Sequence, residues 1–204
     1  MSNVKIINLS DVSIYLMEHS DLQINEYINK LNPSELERFK TIKHPLKKTE
    51  YAASRYLKNK LFGNEDIYYD DSGTPYLEKS GYLSISHSHK YIVIGTCDAF
   101  RIGIDIERID EKAKLVQRRF VNEEEALQFD CTSDKDMTLL WSFKETLYKL
   151  SDRNQLIFKN DLPVTRTNNG HIGKVLMKSG FKETNLQHVE FDGFLITCNI
   201  DKLR

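Results

Sequence analysis

The chain has 204 residues, 40% hydrophobic and 29% charged, with a net charge of −1. That length and balance fit one compact domain or two small lobes around a shared core, and they exclude a globally basic nucleic-acid binder. Cys97, Cys131 and Cys198 are scattered with no C-x-x-C pair, which argues against a disulfide framework or a cysteine zinc site and suits a reducing cytoplasm.

The opening MSNVKIINLS lacks the apolar run of a signal peptide, and no segment is long and apolar enough to span a bilayer. A cytoplasmic location is the expectation. VKIINL and SIYLM read as strands. A helical pattern runs from Leu22 through Ile24, Tyr27, Ile28 and Leu31. NPSELERF then starts a helix, with Asn32 as cap, Pro33 first and Glu35 third. A longer helix is predicted from Pro45 to Phe62, stopping at Gly63. DIYYDDSGTPYL reads as strand, turn and strand, punctuated by Asp71-Ser72-Gly73, and YLSIS and YIVIGTC are β-rich.

In the second half, helices are predicted at about 111–119 and 123–130, the latter capped by Asn122 with Glu125 three residues on. A strong helix spans about Lys135 to Leu150. NNG at 168–170 and DG at 192–193 mark hairpins between apolar strands. The expected fold is α+β: two similar α/β lobes, 1–98 and 99–204, each pairing helices with a small, largely antiparallel sheet.

RIGIDIERID (101–110) carries the first chemical signal. Residues two apart on a strand share a face, so Ile102, Ile104 and Ile106 can bury while Gly103, Asp105 and Glu107 line the other side. Two carboxylates that close repel unless a cation joins them. WSFKETLYKL (141–150) carries the second. At helical spacing Leu139, Leu140, Phe143, Leu147 and Leu150 gather on one face, and Glu145 and Lys149 sit one turn apart on the other with Trp141 and Tyr148. A Trp and a Tyr on a polar face point to a cleft wall. Glu145 can then join the strand carboxylates around a hard cation such as Mg²⁺, which prefers oxygen ligands and is often completed by substrate phosphates. Taken singly, an (i, i+4) Glu–Lys pair or a D-x-E at a strand end is most often a solvated surface feature. Their joint occurrence, in this order, favours the functional reading.

GIDIE (103–107) and WSFKETLYK (141–149) resemble the two signature motifs of the 4′-phosphopantetheinyl transferases, G-x-D-x-E and W-x-x-K-E-x-x-x-K. SISHS (84–88) is similar to the serine-histidine-serine strand that precedes the first motif, and RRFVNEEE (118–125) to the segment between them. The size and plan resemble the larger, monomeric surfactin-type branch. The resemblance implies transfer of the phosphopantetheine arm of coenzyme A onto a serine of a carrier protein, at a site in the cleft between two pseudo-twofold lobes. It implies Asp105, Glu107 and Glu145 as ligands of Mg²⁺, with Mn²⁺ as the other candidate. Glu145 would also be the base toward the carrier serine, and Lys149 would contact the diphosphate. Ser86 and His87 would hold phosphates of coenzyme A, Glu124 would support the network, and Lys43, Lys48 and Arg55, with Lys47 in place of Lys48 if the register slips, would hold the nucleotide. The implied partner is an apo carrier protein with an acidic helical face; no nucleic acid or membrane partner is expected.

Two positions depart from the family pattern. Thr74, in GTP (73–75), stands where a phosphate-contacting lysine is frequent, and Ser84 where Asn is common. They keep a second expectation open, a non-catalytic coenzyme A or carrier-binding module on the same scaffold; a diphosphate hydrolase ranks third. Zinc at His87 and His89 is disfavoured because no third ligand lies nearby. His19, His44, His171 and His188 read as surface or loop residues, Trp141 as packing behind the site, and Lys144 as structural or ion-paired.

Overall fold

A computed structural model describes residues 4–71, 73–152 and 155–204. Ser72, in the predicted turn, lies outside them. The first half runs β1 (Val4–Leu9), β2 (Val12–Glu18), α1 (Ile24–Ile28), α2 (Pro33–Thr41), α3 (Pro45–Phe62), β3 (Tyr68–Tyr69), β4 (Pro75–Leu77), β5 (Gly81–Ser88) and β6 (Tyr91–Cys97). The second runs β7 (Ile104–Arg108), α4 (Lys112–Val116), α5 (Glu123–Ala126), α6 (Asp134–Leu150), α7 (Phe158–Asp161), β8 (Val164–Thr167), β9 (Gly170–Met177), β10 (Gly180–Phe191) and β11 (Phe194–Asn199). Two antiparallel sheets result, in the orders β1-β2-β6-β5-β4-β3 and β7-β11-β10-β9-β8. Among the described residues no helix is long and apolar enough to cross a membrane.

Local chemistry places these elements. At the start of α2, Asn32 Oδ1 accepts from the Glu35 N–H at 2.9 Å and Glu35 Oε2 accepts from the Asn32 N–H at 3.0 Å, a reciprocal cap that satisfies two helix-end donors. The same device at Asn122 and Glu125 starts α5. α3 ends at Gly63, whose φ of +70° suits glycine. Two predicted helices are shorter than their patterns suggest. The 111–119 segment tightens into a 3₁₀ turn over Gln117–Arg119, and the 123–130 segment stops at Ala126, where Leu127 turns outward to solvent.

Three apolar layers hold the molecule. α3 lays Ala52, Ala53 and Leu57 on Leu83, Ile92 and Ile94 of the first sheet. The opposite face of that sheet, with Ile14, Leu16 and Val93, meets Ile104, Ile106 and Ile196 of the second. On the far side of the second sheet, α6 buries Leu140, Phe143, Leu147 and Leu150 against Val175, Leu186 and Leu195. Each such side chain contributes about 1.5–3 kcal/mol on leaving water, so α6 is fixed by its apolar face. The predicted burial of Ile102, Ile104 and Ile106 is observed.

Two histidine expectations change. His19 is buried just past the end of β2, where its backbone N–H donates to the Lys90 carbonyl in the β5–β6 hairpin. His171 packs its ring 4.7 Å from Phe143, and burial, with His188 beside it, pushes it down to about 4.

Candidate active site

β7 is bonded to β11 along one edge, and the other edge meets β5 through side chains. The serines of SISHS alternate onto one face and form a ladder. Ser84 Oγ accepts from the Ile104 N–H at 3.1 Å, Ser86 Oγ donates to Asp105 Oδ1 at 2.8 Å, and Ser88 Oγ lies 3.4 Å from Glu107 Oε2. The hydroxyls satisfy an edge that would otherwise be left unpaired between the sheets, and they orient both strand carboxylates.

α6 approaches from the other side. Trp141 Nε1–H donates to Glu107 Oε1 at 3.2 Å, with its ring against Phe120 and Phe158. Ser142 Oγ donates to Asp105 Oδ2 at 2.8 Å. Lys149 Nζ donates to the Ile104 carbonyl at 2.6 Å and lies 3.1 Å from Asp105 Oδ1. The approach is close enough to dictate a glycine. A Cβ on Gly103 would stand 2.3 Å from the Thr146 carbonyl oxygen, so the glycine of G-x-D-x-E lets β7 reach the helix. Asn199 Oδ1 accepts from the Gly103 N–H at 2.8 Å, and Arg101 donates to the Ser151 carbonyl at 3.0 Å, tying the strand entry to the end of α6.

Charge at the site is uneven. Asp105 is buried and carries Lys149 as its cation. Glu107 has only neutral donors; burial, with Asp105 and Glu145 adding repulsion, pushes its carboxyl up to about 7. Glu145 is also pushed up to about 7, by burial and then by Asp105, against the pull of Lys149. Two carboxyls therefore sit above their ordinary value, first because they are buried and then because the group is short of positive charge.

That shortage tests the fit of a divalent cation. The donors are all oxygen, the group is anionic, and the repulsion would be relieved by a hard cation, so the chemistry fits. The side chains are not closed around a point: among the described residues no three acidic, His or Cys side chains are grouped to enclose an ion. Lys149 already lies 3.1 Å from Asp105 Oδ1. An incoming cation would compete with that ammonium.

Residues 101–198 match the family model of the 4′-phosphopantetheinyl transferase superfamily (ACPS). The matched segment contains β7 and α6, the elements that bring Asp105, Glu107, Glu145 and Lys149 together. No curated protein matches the chain.

The other predicted residues are distributed unevenly. Ser86 is committed to Asp105. His87 points to the other face of β5, where Nδ1 lies 3.3 Å from Glu50 Oε1 on α3; burial lowers its pKa, against the pull of Glu50. Lys47 joins the same group, 2.8 Å from Glu50, so it is nearer to His87 than its neighbour Lys48, which lies over the Phe39 ring. Arg55 lies over Tyr51, and Lys43 is exposed. Thr74 is buried, with its N–H bonded to Asp70, so this position serves the β3–β4 turn. Glu124 is exposed. Its neighbour Glu125 is buried and takes Lys144 Nζ at 2.7 Å, together with the Val164 N–H. Sequence reasoning did not single out Ser142, Ser88, Glu50 or the Trp141 N–H. For Glu125 a signal existed: a capping glutamate has its carboxylate turned inward toward the helix start.

Proposed function

We propose that this protein transfers the 4′-phosphopantetheine arm of coenzyme A to a serine of an apo carrier protein. The observation that carries the reading is the convergence of the strand carboxylates Asp105 and Glu107 with Glu145 and Lys149 of α6, inside the segment that matches a transferase family. We take residues 1–98 and 99–204 as two lobes, with the reaction in the cleft along β5, β7 and α6.

The carrier serine hydroxyl attacks the phosphorus that bears the pantetheine oxygen. A new serine–phosphorus ester bond forms, the diphosphate bond breaks, and adenosine 3′,5′-bisphosphate leaves with the bridging oxygen. Such displacements demand positioning and charge neutralisation more than covalent chemistry from the protein. Glu145 would also accept the serine proton, directly or through a water. Lys149 would contact the diphosphate and answer the charge that develops on the leaving phosphate. Asp105, Glu107 and Glu145 would hold Mg²⁺, or Mn²⁺ in its place, which when bound neutralises the diphosphate oxygens. His87, with Lys47, Lys43, Lys48 and Arg55, would hold the nucleotide phosphates on the α3 side. A cavity of about 280 Å³ is lined by Glu107 together with His89, Lys112, Val116 and Trp141.

The test is intact-mass analysis of a panel of apo carrier proteins incubated with protein, coenzyme A and Mg²⁺. A gain of one phosphopantetheine is expected on at least one carrier. Calorimetric binding of coenzyme A with every carrier unmodified would favour the binding-module alternative.

A further inference from the structure

The contact between α6 and β11 is unusual for a helix–sheet core. Amid Leu140, Phe143 and Leu147 it buries three hydroxyls completely: Ser142, Thr146 and Thr197 are each 0% exposed. A buried hydroxyl costs free energy unless it is bonded, and small apolar residues would fill the same space. Here each is bonded. Ser142 Oγ lies 2.8 Å from Thr197 Oγ1, and Thr146 Oγ1 lies 2.7 Å from Thr197 Oγ1 and 3.2 Å from the Thr197 carbonyl oxygen.

The chain ends at a carboxylate, and that sets its direction. Ser142 Oγ is the donor to Asp105 Oδ2 at 2.8 Å, so its one proton is spent there. Thr197 is then the donor in its 2.8 Å bond to Ser142 Oγ, its proton shared with the Ser142 carbonyl oxygen at 3.0 Å, and Thr146 donates toward Thr197. Hydroxyls polarised in one direction strengthen one another. Register supports the arrangement: Thr197 is the residue directly opposite Asp105 in the β7–β11 ladder, so both side chains leave the same face and Ser142 bridges them from the helix. No member reaches solvent, so the chain is a holder and has no exit for a proton.

We propose that Thr146, Thr197 and Ser142 form a positioning chain that fixes Asp105 for a divalent cation, Ser142 holding the carboxylate and the two threonines acting through it. Neutral donors orient a carboxylate without cancelling its charge. With Oδ2 held by Ser142, Oδ1 is the atom turned toward Ser86 and Lys149, where a cation would exchange for the ammonium. The inference rests on the metal reading above, and its test separates the two.

Mn²⁺ binding to the metal-free, full-length protein, followed by electron paramagnetic resonance at pH 8, provides the readout. Ser142→Ala is expected to weaken Mn²⁺ binding about tenfold, as loss of a group that orients a metal ligand commonly does. Thr197→Val keeps the shape and removes the hydroxyl; about threefold weakening is expected, with a melting temperature no lower than that of the parent. Thr197→Ser restores the hydroxyl and parental affinity. Parental affinity in both Ser142→Ala and Thr197→Val overturns the positioning chain. A lowered melting temperature with unchanged Mn²⁺ affinity overturns it equally, because the hydroxyls are then only structural. If Ser142→Ala does not fold, the Thr197→Val and Thr197→Ser pair decides. Absence of Mn²⁺ binding in the parent protein overturns the metal reading and this inference together.

Discussion

Lys144 and Glu145 are neighbours in sequence and opposites in environment. Lys144 is completely buried, yet its ammonium meets the Glu125 carboxylate and the Phe158 carbonyl. Glu125 in turn accepts from the N–H groups of Asn122 and Val164, so both ions are closed off by partners. Glu145, on the other side of α6, has no hydrogen bond or ion pair to a described residue and shares its surroundings with two further carboxylates for which Lys149 is the nearby cation. The closed pair pins α5, α7 and β8 to α6. The open group is left with charge to be answered from outside. A buried charge with all its partners supplied is a structural device; one short of a partner is a candidate for chemistry.

The largest effect should come from the open cluster. Asp105→Asn keeps the shape and its neighbours but removes the central negative charge, and transfer to a carrier should fall by at least about 10³-fold. Circular dichroism should stay native. Turnover within tenfold of the parent would mean Asp105 is not a ligand.

Lys144→Met probes the closed pair. It strands the Glu125 carboxylate in the core, and breaking a buried pair from one side costs about 3–5 kcal/mol. Urea unfolding should register that loss, and adding Glu125→Gln, which removes the charge and keeps an acceptor, should recover part of it. A loss below about 1 kcal/mol would show that the pair does not hold α5 and β8 to the helix.

Proton linkage sharpens the contrast. The Glu145 carboxyl is raised from 4.5 to about 7 in the folded chain, so the folded state binds more protons than the unfolded one between those values. The stability this group contributes is full below about 4.5 and is lost as pH rises through 7. The stability of the parent relative to Glu145→Gln should therefore fall between pH 5 and pH 8, by about 2 kcal/mol after allowance for partial exposure. Saturating Mg²⁺ should erase most of that fall. A pH-independent difference would place Glu145 in a solvated environment.

The smallest effect belongs to the nucleotide side. Arg55→Ala should raise KM for coenzyme A about threefold to fivefold with little change in kcat, in line with one partly exposed ion pair. A fall in kcat at unchanged KM would move Arg55 out of that role.

The parts legible in the sequence are those fixed by local period and spacing. Alternation showed Ile102, Ile104 and Ile106 facing inward and Asp105 and Glu107 facing together. The 3.6-residue repeat showed which face of α6 buries, and the caps at Asn32 and Asn122 marked two helix starts. What stayed hidden depends on partners far along the chain. In the run Glu123-Glu124-Glu125, the one that turns inward is selected by the cap at Asn122 and by Val164 some forty residues later. Ser142 reads as an ordinary polar helix residue until β7 and β11 are placed beneath it. His19 reads as a surface residue because nothing nearby in sequence predicts that the β5–β6 hairpin covers it.

The claim on which the account depends is that β7 and α6 supply oxygen ligands to one cation. Crystals grown with Mn²⁺ and coenzyme A, measured at the manganese absorption edge, test it without reference to turnover. The account predicts a single strong anomalous peak bounded by the carboxylates of Asp105, Glu107 and Glu145, with Lys149 released from Asp105. Manganese bound elsewhere, or no peak there while Lys149 keeps its bond to Asp105, would contradict it.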